Sequence, residues 1–359
     1  MIELKKLTAI GCAFRLEGTI CSYEVITTGN INTTVKVTYE RPDQHRKSYI
    51  FQKINTYVFR DPERIMENID LVTEHIRKHF PEEITLHFHH TAEGKNFLYD
   101  EDGGFWRVMN YVESISFDTC EDLAVIRSTG EAFGRFQNQL ADLDGALLHE
   151  TIPDFHNTVK RLDTLFQHVE EDPLHRNADA QEEIAYIASV RGEASALSEM
   201  YNQGEFPVRV THNDTKSNNV LFDPESRRPI LVIDLDTVMP GMSVYDFGDA
   251  VRFICNTAAE DEPDLGKVSF DVSRFRAFCE GYLGMTGGSL EEVERRNLVT
   301  AAFSITIELA ARFLDDYLTG DAYFKVDYPG HNLVRTRCQL ALAKDIWAKK
   351  AELEKICEA

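Results

Sequence analysis

Near residue 113 the prevailing spacing of apolar residues changes from a two-residue alternation, interrupted by one helical stretch, to helical spacing, and no other feature restricts the fold as much. Before that point "SYEVITT" (22–28) and "TTVKVTYE" (33–40) read as strands flanking a hairpin connection at Gly29-Asn30-Ile31-Asn32. "SYIFQKI" (48–54) reads as a third strand, and "ITLHFHH", "NFLYD" and "FWRVMNYV" complete a small antiparallel sheet. Within this region Ile65, Ile69, Val72 and Ile76 share one helical face over residues 62–80, and Asp61-Pro62 stands at its start. After Glu113 helical patterns follow at 120–143, 180–204, 273–284 and 298–320. The expected class is α+β with two lobes. A small antiparallel β N-lobe (1–108) leads through a hinge (109–113) to a larger, mainly helical C-lobe (114–359).

With 359 residues, 43% of them hydrophobic, the chain has enough apolar material for both lobes. No run of 18 apolar residues occurs, and the short apolar run near the N-terminus follows Glu3, which argues against a signal peptide. The formal charge of −22 repels nucleic acid and anionic membranes, so neither is expected as a partner, and no protein partner is implied. An anionic substrate such as a nucleotide would therefore need cations or a metal ion placed locally. Seven cysteines, odd in number and without a C-x-x-C pair, suggest reduced thiols and a cytoplasmic location.

The polar stretch "THNDTKSNNVLFD" (211–223) is followed by a turn-rich segment and then "PILVIDLDT". A hairpin centred near 226–227 would set position 219 opposite 234 and bring Asn219 and Asp234 to one end, beside the loop carrying Asp214. Each residue alone could be a turn former or a strand end. Together they supply hard oxygen donors without His or Cys, which suits Mg²⁺. His212-x-Asp214-x-x-x-x-Asn219 followed by an aspartate is an arrangement used in phosphoryl transfer, in which one Asp takes the hydroxyl proton while Asn and another Asp hold the metal. Asp246, in "YDFGD", lies too far beyond Asn219 for the hairpin pairing and reads as a cap for a helix beginning near Ala250, bonded to the loop of Asp214. His87, His89 and His90 alternate between strand faces and read as surface histidines.

These segments resemble the aminoglycoside phosphotransferase family, whose fold is protein-kinase-like. "GNINTTVKV", "FQKINTYVF", "RVTHNDTKSNN", "IDLDTVMPG", "DFGDAVRF", "RFLDDYLTGDAYF" and "HNLVRTR" are most similar to its N-acetylhexosamine 1-kinase branch, over about residues 25 to 340. The resemblance implies ATP-dependent phosphorylation of an N-acetylhexosamine at the anomeric hydroxyl, with Mg²⁺. A relative acting on an aminoglycoside, an amino alcohol or another sugar would share the same cluster, and a silent kinase-like binding module is a third reading. By the resemblance Asp214 is the catalytic base, and Asn219 and Asp234 are metal ligands, with Asp236 a second carboxylate for a second ion. Asn30, Asn32 and Thr33 would face the nucleotide phosphates, and Asn110 and Val112 would meet the adenine through their backbone. Gln52 stands where protein kinases carry a lysine, with Lys53 next to it, and alternation sends the two side chains to opposite faces. Arg312 and Tyr323 are candidates for the sugar, with Arg335 and Arg337 behind them. Glu308, Arg312 and Asp316 could equally be a solvated charge ladder.

Overall fold

The computed structural model describes residues 2–27 and 31–358. They form two compact units, the first holding the chain up to Ile115 together with Leu147–Ile152 and Leu235–Met239, the second holding the remainder. The chain therefore crosses between units more often than a linear division at 108 and 113 anticipates. Asn68 explains why the two short segments join the first unit. Buried on α2 (Pro62–His79), it donates to the carbonyls of His149 (2.8 Å) and Val238 (2.9 Å) and accepts from the His149 amide.

In the first unit β1 (Thr19–Ile26), β2 (Thr33–Glu40), β3 (Arg46–Lys53), β4 (Leu98–Tyr99) and β5 (Phe105–Asn110) form one antiparallel sheet in the order β1-β2-β3-β5-β4. The expected strand at "ITLHFHH" is reduced to a single bridge between Phe88 and Met109. His87 and His89 are half-buried rather than at the surface, and burial first of all pushes both imidazoles below their ordinary pKa. Helix α1 (Leu4–Ala13) was not anticipated; a short apolar run carries too little periodicity to show it. Its Leu7 and Ile10, with Phe14, pack on Val35, Phe51, Trp106 and Val108, which fill one face of the sheet. Register sends Thr34, Gln52 and Arg107, paired across β2, β3 and β5, to the other face. On α2 the expected stripe Ile65, Ile69, Val72 and Ile76 is buried, and Asp61 caps the helix ahead of Pro62.

The second unit is mainly helical, with α3 (Leu123–Gln139), α4 (Thr158–Glu171), α5 (Gln181–Ser189), α6 (Arg191–Asn202), α7 (Ser243–Ile254), α8 (Val272–Met285), α9 (Glu292–Arg296), α10 (Leu298–Thr319) and α11 (His331–Glu358). The single helix expected at 180–204 breaks at Val190. The apolar helix α10 is its centre, packed against α4, α6, α7 and α11, and it ends at Gly320 in the left-handed region (φ 114°). Glycines bring α3 onto α8: a Cβ on Gly134 would lie 2.3 Å from the carbonyl oxygen of Tyr282. Three short strands, β6 (Arg209–Thr211), β7 (Val220–Phe222) and β8 (Pro229–Val232), carry the polar cluster. Among the described residues no helix is long and apolar enough to cross a membrane.

Candidate active site

The expected hairpin forms, with a register shifted by one residue. Val220 pairs with Val232 and Leu221 with Leu231, and an irregularity follows before Phe222 meets Pro229. Asn219 consequently faces Ile233, whose amide donates to its carbonyl at 2.8 Å, and Asp234 lies one residue beyond that bond. Asp234 is exposed, with φ at 62°, and Asn213 also has a left-handed backbone (φ 63°). Non-glycine residues held in this region cost about 1–3 kcal/mol each and collect at functional sites.

The loop between β6 and β7 is fixed by two buried side chains. Asp246 accepts the amides of His212 (2.7 Å) and Asn213 (2.8 Å) and the Gln137 side chain (3.1 Å), while its own carbonyl takes the Thr215 hydroxyl (2.7 Å). Burial first pushes the Asp246 carboxyl above its ordinary pKa, with these amide bonds opposing it. The expected bond to the loop is thus present, but the expected capping role is not. Helix α7 already begins at Ser243, which puts Asp246 inside its first turn. Gly248, inside that helix, lets α7 approach α10; a Cβ there would lie 2.8 Å from the carbonyl carbon of Ala301.

His212 is buried between the edges of Phe133 and Phe136. Its Nε2 lies 2.9 Å from the Ile233 carbonyl, which can only accept, so that nitrogen carries the proton. Nδ1 accepts from the Asp214 amide at 3.3 Å. The imidazole thereby ties the loop of Asp214 to the residue preceding Asp234.

Asp214 itself is partly exposed. Its Oδ1 takes the Lys216 ammonium at 2.8 Å and its Oδ2 the Asn219 amide at 3.2 Å. Asn219 also donates to the Asp214 carbonyl (2.8 Å), so its amide nitrogen is turned to the loop while Oδ1 accepts from none of the described residues. Lys216 was missed, although it stands inside the motif. Burial works against its charge, yet Asp214 outweighs that and holds its pKa above the ordinary value.

Of the expected nucleotide residues, Asn30 lies outside those described. Asn32 turns inward: its Nδ2 donates to Asp236 Oδ2 at 2.7 Å and its Oδ1 accepts the Asn55 amide at 3.0 Å. Thr33 is exposed and shares a sheet face with Lys53, whereas Thr34 shares the Gln52 face. Asn110 uses its amide on the His87 carbonyl (3.1 Å) and its side chain on His89 (3.0 Å), and the Val112 carbonyl takes the Ser114 hydroxyl (3.0 Å). Asp236 is buried, and its other oxygen is held by Arg107 at 2.5 Å.

In the second unit Arg312 packs over Tyr323 and Phe324, with Nη2 3.4 Å from the Tyr323 hydroxyl. The charge ladder does not form, because its two acids are buried and engaged elsewhere. Glu308 accepts from His156 (3.0 Å) and Thr158 (2.6 Å), and Asp316 accepts the amides of Ala322, Tyr323 and Phe324. Arg161, which no sequence signal had marked, lies on α4 close enough to Arg312 for burial first and that charge second to lower its pKa; its buried Nε has no partner among the described residues. Arg335 and Arg337 are held within the helical unit, by Asn332 and the Lys325 carbonyl and by Glu183 and the Asp179 carbonyl respectively.

A five-stranded antiparallel unit followed by a helical unit carrying this loop defines a protein-kinase-like fold. The chain belongs to the phosphotransferase enzyme family (APH), whose model matches residues 22–285. Among solved structures it is similar to an aminoglycoside 2'-phosphotransferase-IIIa in its GDP complex (TM-score 0.63, 13% identity, covering 95% of this chain and 99% of that one). A microcompartment-associated aminopropanol kinase gives a TM-score of 0.61 at 14% identity, covering 97% and 98%. An amicoumacin kinase in complex with AMP-PNP and Ca²⁺ gives 0.59 at 13%, covering 97% and 94%. At these identities the likeness is one of fold.

Proposed function

We propose that the chain transfers the γ-phosphoryl group of ATP to the anomeric hydroxyl of an N-acetylhexosamine, giving the sugar 1-phosphate. The observation that carries a kinase reading is the Asp214 carboxylate, fixed beside Lys216 and Asn219 on a loop locked by His212 and Asp246. Asp214 takes the acceptor's proton as the new O–P bond forms and the bond to ADP breaks. Lys216 sets positive charge 2.8 Å from Asp214 Oδ1. The open Oδ1 of Asn219, with the Asp234 carboxylate, fits a hard divalent ion, and Mg²⁺ bound there would neutralise phosphate charge. The first unit, with Asn32, Thr33, Asn110 and Val112, is assigned to the nucleotide.

The preference for a neutral acceptor rests on charge. Lys216 and His156 both act on Asp249, His156 holds Glu308, and Arg312 and Arg161 follow. In this series Glu308 is held by His156 and Thr158, while Arg312 lies over Tyr323 and Phe324 with Arg161 close to it, a cationic and aromatic lining that suits sugar hydroxyls better than an ammonium group. A cationic amino alcohol or aminoglycoside would need the opposite balance. A screen of N-acetylhexosamines, other sugars, amino alcohols and aminoglycosides with ATP and Mg²⁺, reading the phosphorylated position by NMR, tests this directly. Phosphate at O1 of an N-acetylhexosamine supports the proposal; turnover only with amines, or at another hydroxyl, refutes it.

A further inference from the structure

On the sheet face opposite α1, Arg107 is 2% exposed and lies across from Gln52, the residue that the sequence resemblance aligns with the protein-kinase lysine. Its Nε donates to Gln52 Oε1 at 3.0 Å, and its Nη1 donates to Asp236 at 2.5 Å and approaches the Met66 sulfur at 3.7 Å. Gln52 passes the contact on to Thr34 (3.1 Å), and Asp236 passes it to Asn32 (2.7 Å), just past the β1–β2 connection. Arg107 Nη2 donates to none of the described residues. Nη2 is not one of the fully buried side-chain atoms left without a partner, so its two N–H donors open to solvent, where the acceptor oxygens of a ligand can reach them. Lys53 cannot serve the same face. It pairs with Thr33 and Trp106, and its chain runs against Gly104, whose added Cβ would lie 2.7 Å from Lys53 Cε. Of the other cations on the Arg107 face, Lys36 is stacked over the Tyr111 ring at 3.8 Å, and Arg46 stands at the far end of β3, across from Glu40.

We infer that Arg107 is the phosphate-binding cation of the nucleotide unit, acting from β5 where protein kinases use a lysine on β3, with Asp236 and Gln52 as the residues that position it. Its planar fork suits two phosphate oxygens and leaves Nη2 for the nucleotide. The inference rests on the assignment of this unit to the nucleotide.

The test is calorimetric binding of ADP and of adenosine, without divalent metal so that any metal role of Asp236 stays out of the reading. Three proteins are compared: the wild type, Lys53→Met, and the double variant Arg107→Gln with Asp236→Asn, which keeps the buried network neutral and hydrogen-bonded. Loss of one charge-assisted contact is expected to weaken ADP roughly tenfold or more in the double variant, with adenosine unchanged within about twofold. Lys53→Met should bind both ligands as the wild type does. Equal loss of ADP and adenosine, no loss of ADP, or an ADP-selective loss in Lys53→Met overturns the assignment of Arg107. A wild-type protein that binds neither ligand overturns the nucleotide assignment and the inference with it.

Discussion

His212 donates from Nε2 to the carbonyl of Ile233 at 2.9 Å, and this bond couples the position of Asp214 to that of Asp234. Both carboxylates sit on short irregular segments, Asp234 with a left-handed backbone, so neither is positioned by a long strand or helix. Precision comes from the buried imidazole and from Asp246 behind it.

Replacing His212 with Phe keeps the packing on Phe133 and Phe136 but leaves the Ile233 carbonyl and Asp214 amide without this partner. We expect a stability loss of about 1–3 kcal/mol. Turnover should fall further, by roughly 10²-fold, because the two acids lose their mutual placement. Chemical denaturation and kcat on the same preparation check this; a variant with near-wild-type kcat would show that the bond does not position the site.

Arg312→Ala should raise the acceptor KM far more than the ATP KM. Its guanidinium lies over Tyr323 and Phe324, and no salt bridge to Glu308 or Asp316 holds it as a surface ladder. Initial-rate kinetics with each substrate varied decide the matter. Changes in both KM values within about twofold, less than roughly 0.5 kcal/mol, would remove Arg312 from the acceptor site.

The first unit should lose stability in acid through Asp100. Burial opposes its ionisation, but bonds from Lys6, Trp106 and Gly104 outweigh this and hold its pKa at about 2, against an ordinary 3.8. A depressed folded-state pKa contributes stability that is fully present above the unfolded value and lost as pH falls from about 4 toward 2. Asp100→Asn should therefore be less stable than the wild type at pH 7, converge with it near pH 2, and show a flatter profile between. Melting temperatures across that range test it; parallel profiles would contradict the pairing.

Much of this architecture was legible because it rests on local rules. Alternation marked β1, β2, β3 and β5, the stripe from Ile65 to Ile76 marked α2, and the spacing of Asp214, Asn219 and Asp234 marked the loop and its hairpin. What escaped depends on contacts distant in the chain. The sequence pattern places the start of α7 near Ala250 rather than at Ser243, since the approach of α7 to α10 at Gly248 leaves no local mark; the burial of Glu308 depends on His156, about 150 residues earlier. The one-residue shift of the hairpin follows from the irregularity at Leu221/Phe222, which pairing about a symmetric centre cannot show. Arg107 did leave a trace, a lone charge inside "FWRVMNYV", but only the cross-strand register with Gln52 gives it a meaning.

The division of labour between Asp214 and Asp234 is the central claim, and one paired experiment addresses it: kcat and calorimetric nucleotide affinity for Asp214→Asn and Asp234→Asn at several Mg²⁺ concentrations. Asp214→Asn keeps Asn219 and Asp234, so nucleotide should still bind with Mg²⁺ while kcat drops by about 10²–10⁴ and does not recover with added metal. Asp234→Asn should lose metal-dependent nucleotide affinity together with turnover, and excess Mg²⁺ should restore part of both. Near-wild-type turnover in Asp214→Asn, or rescue by Mg²⁺ of that variant alone, would contradict the assignment of Asp214 as the base.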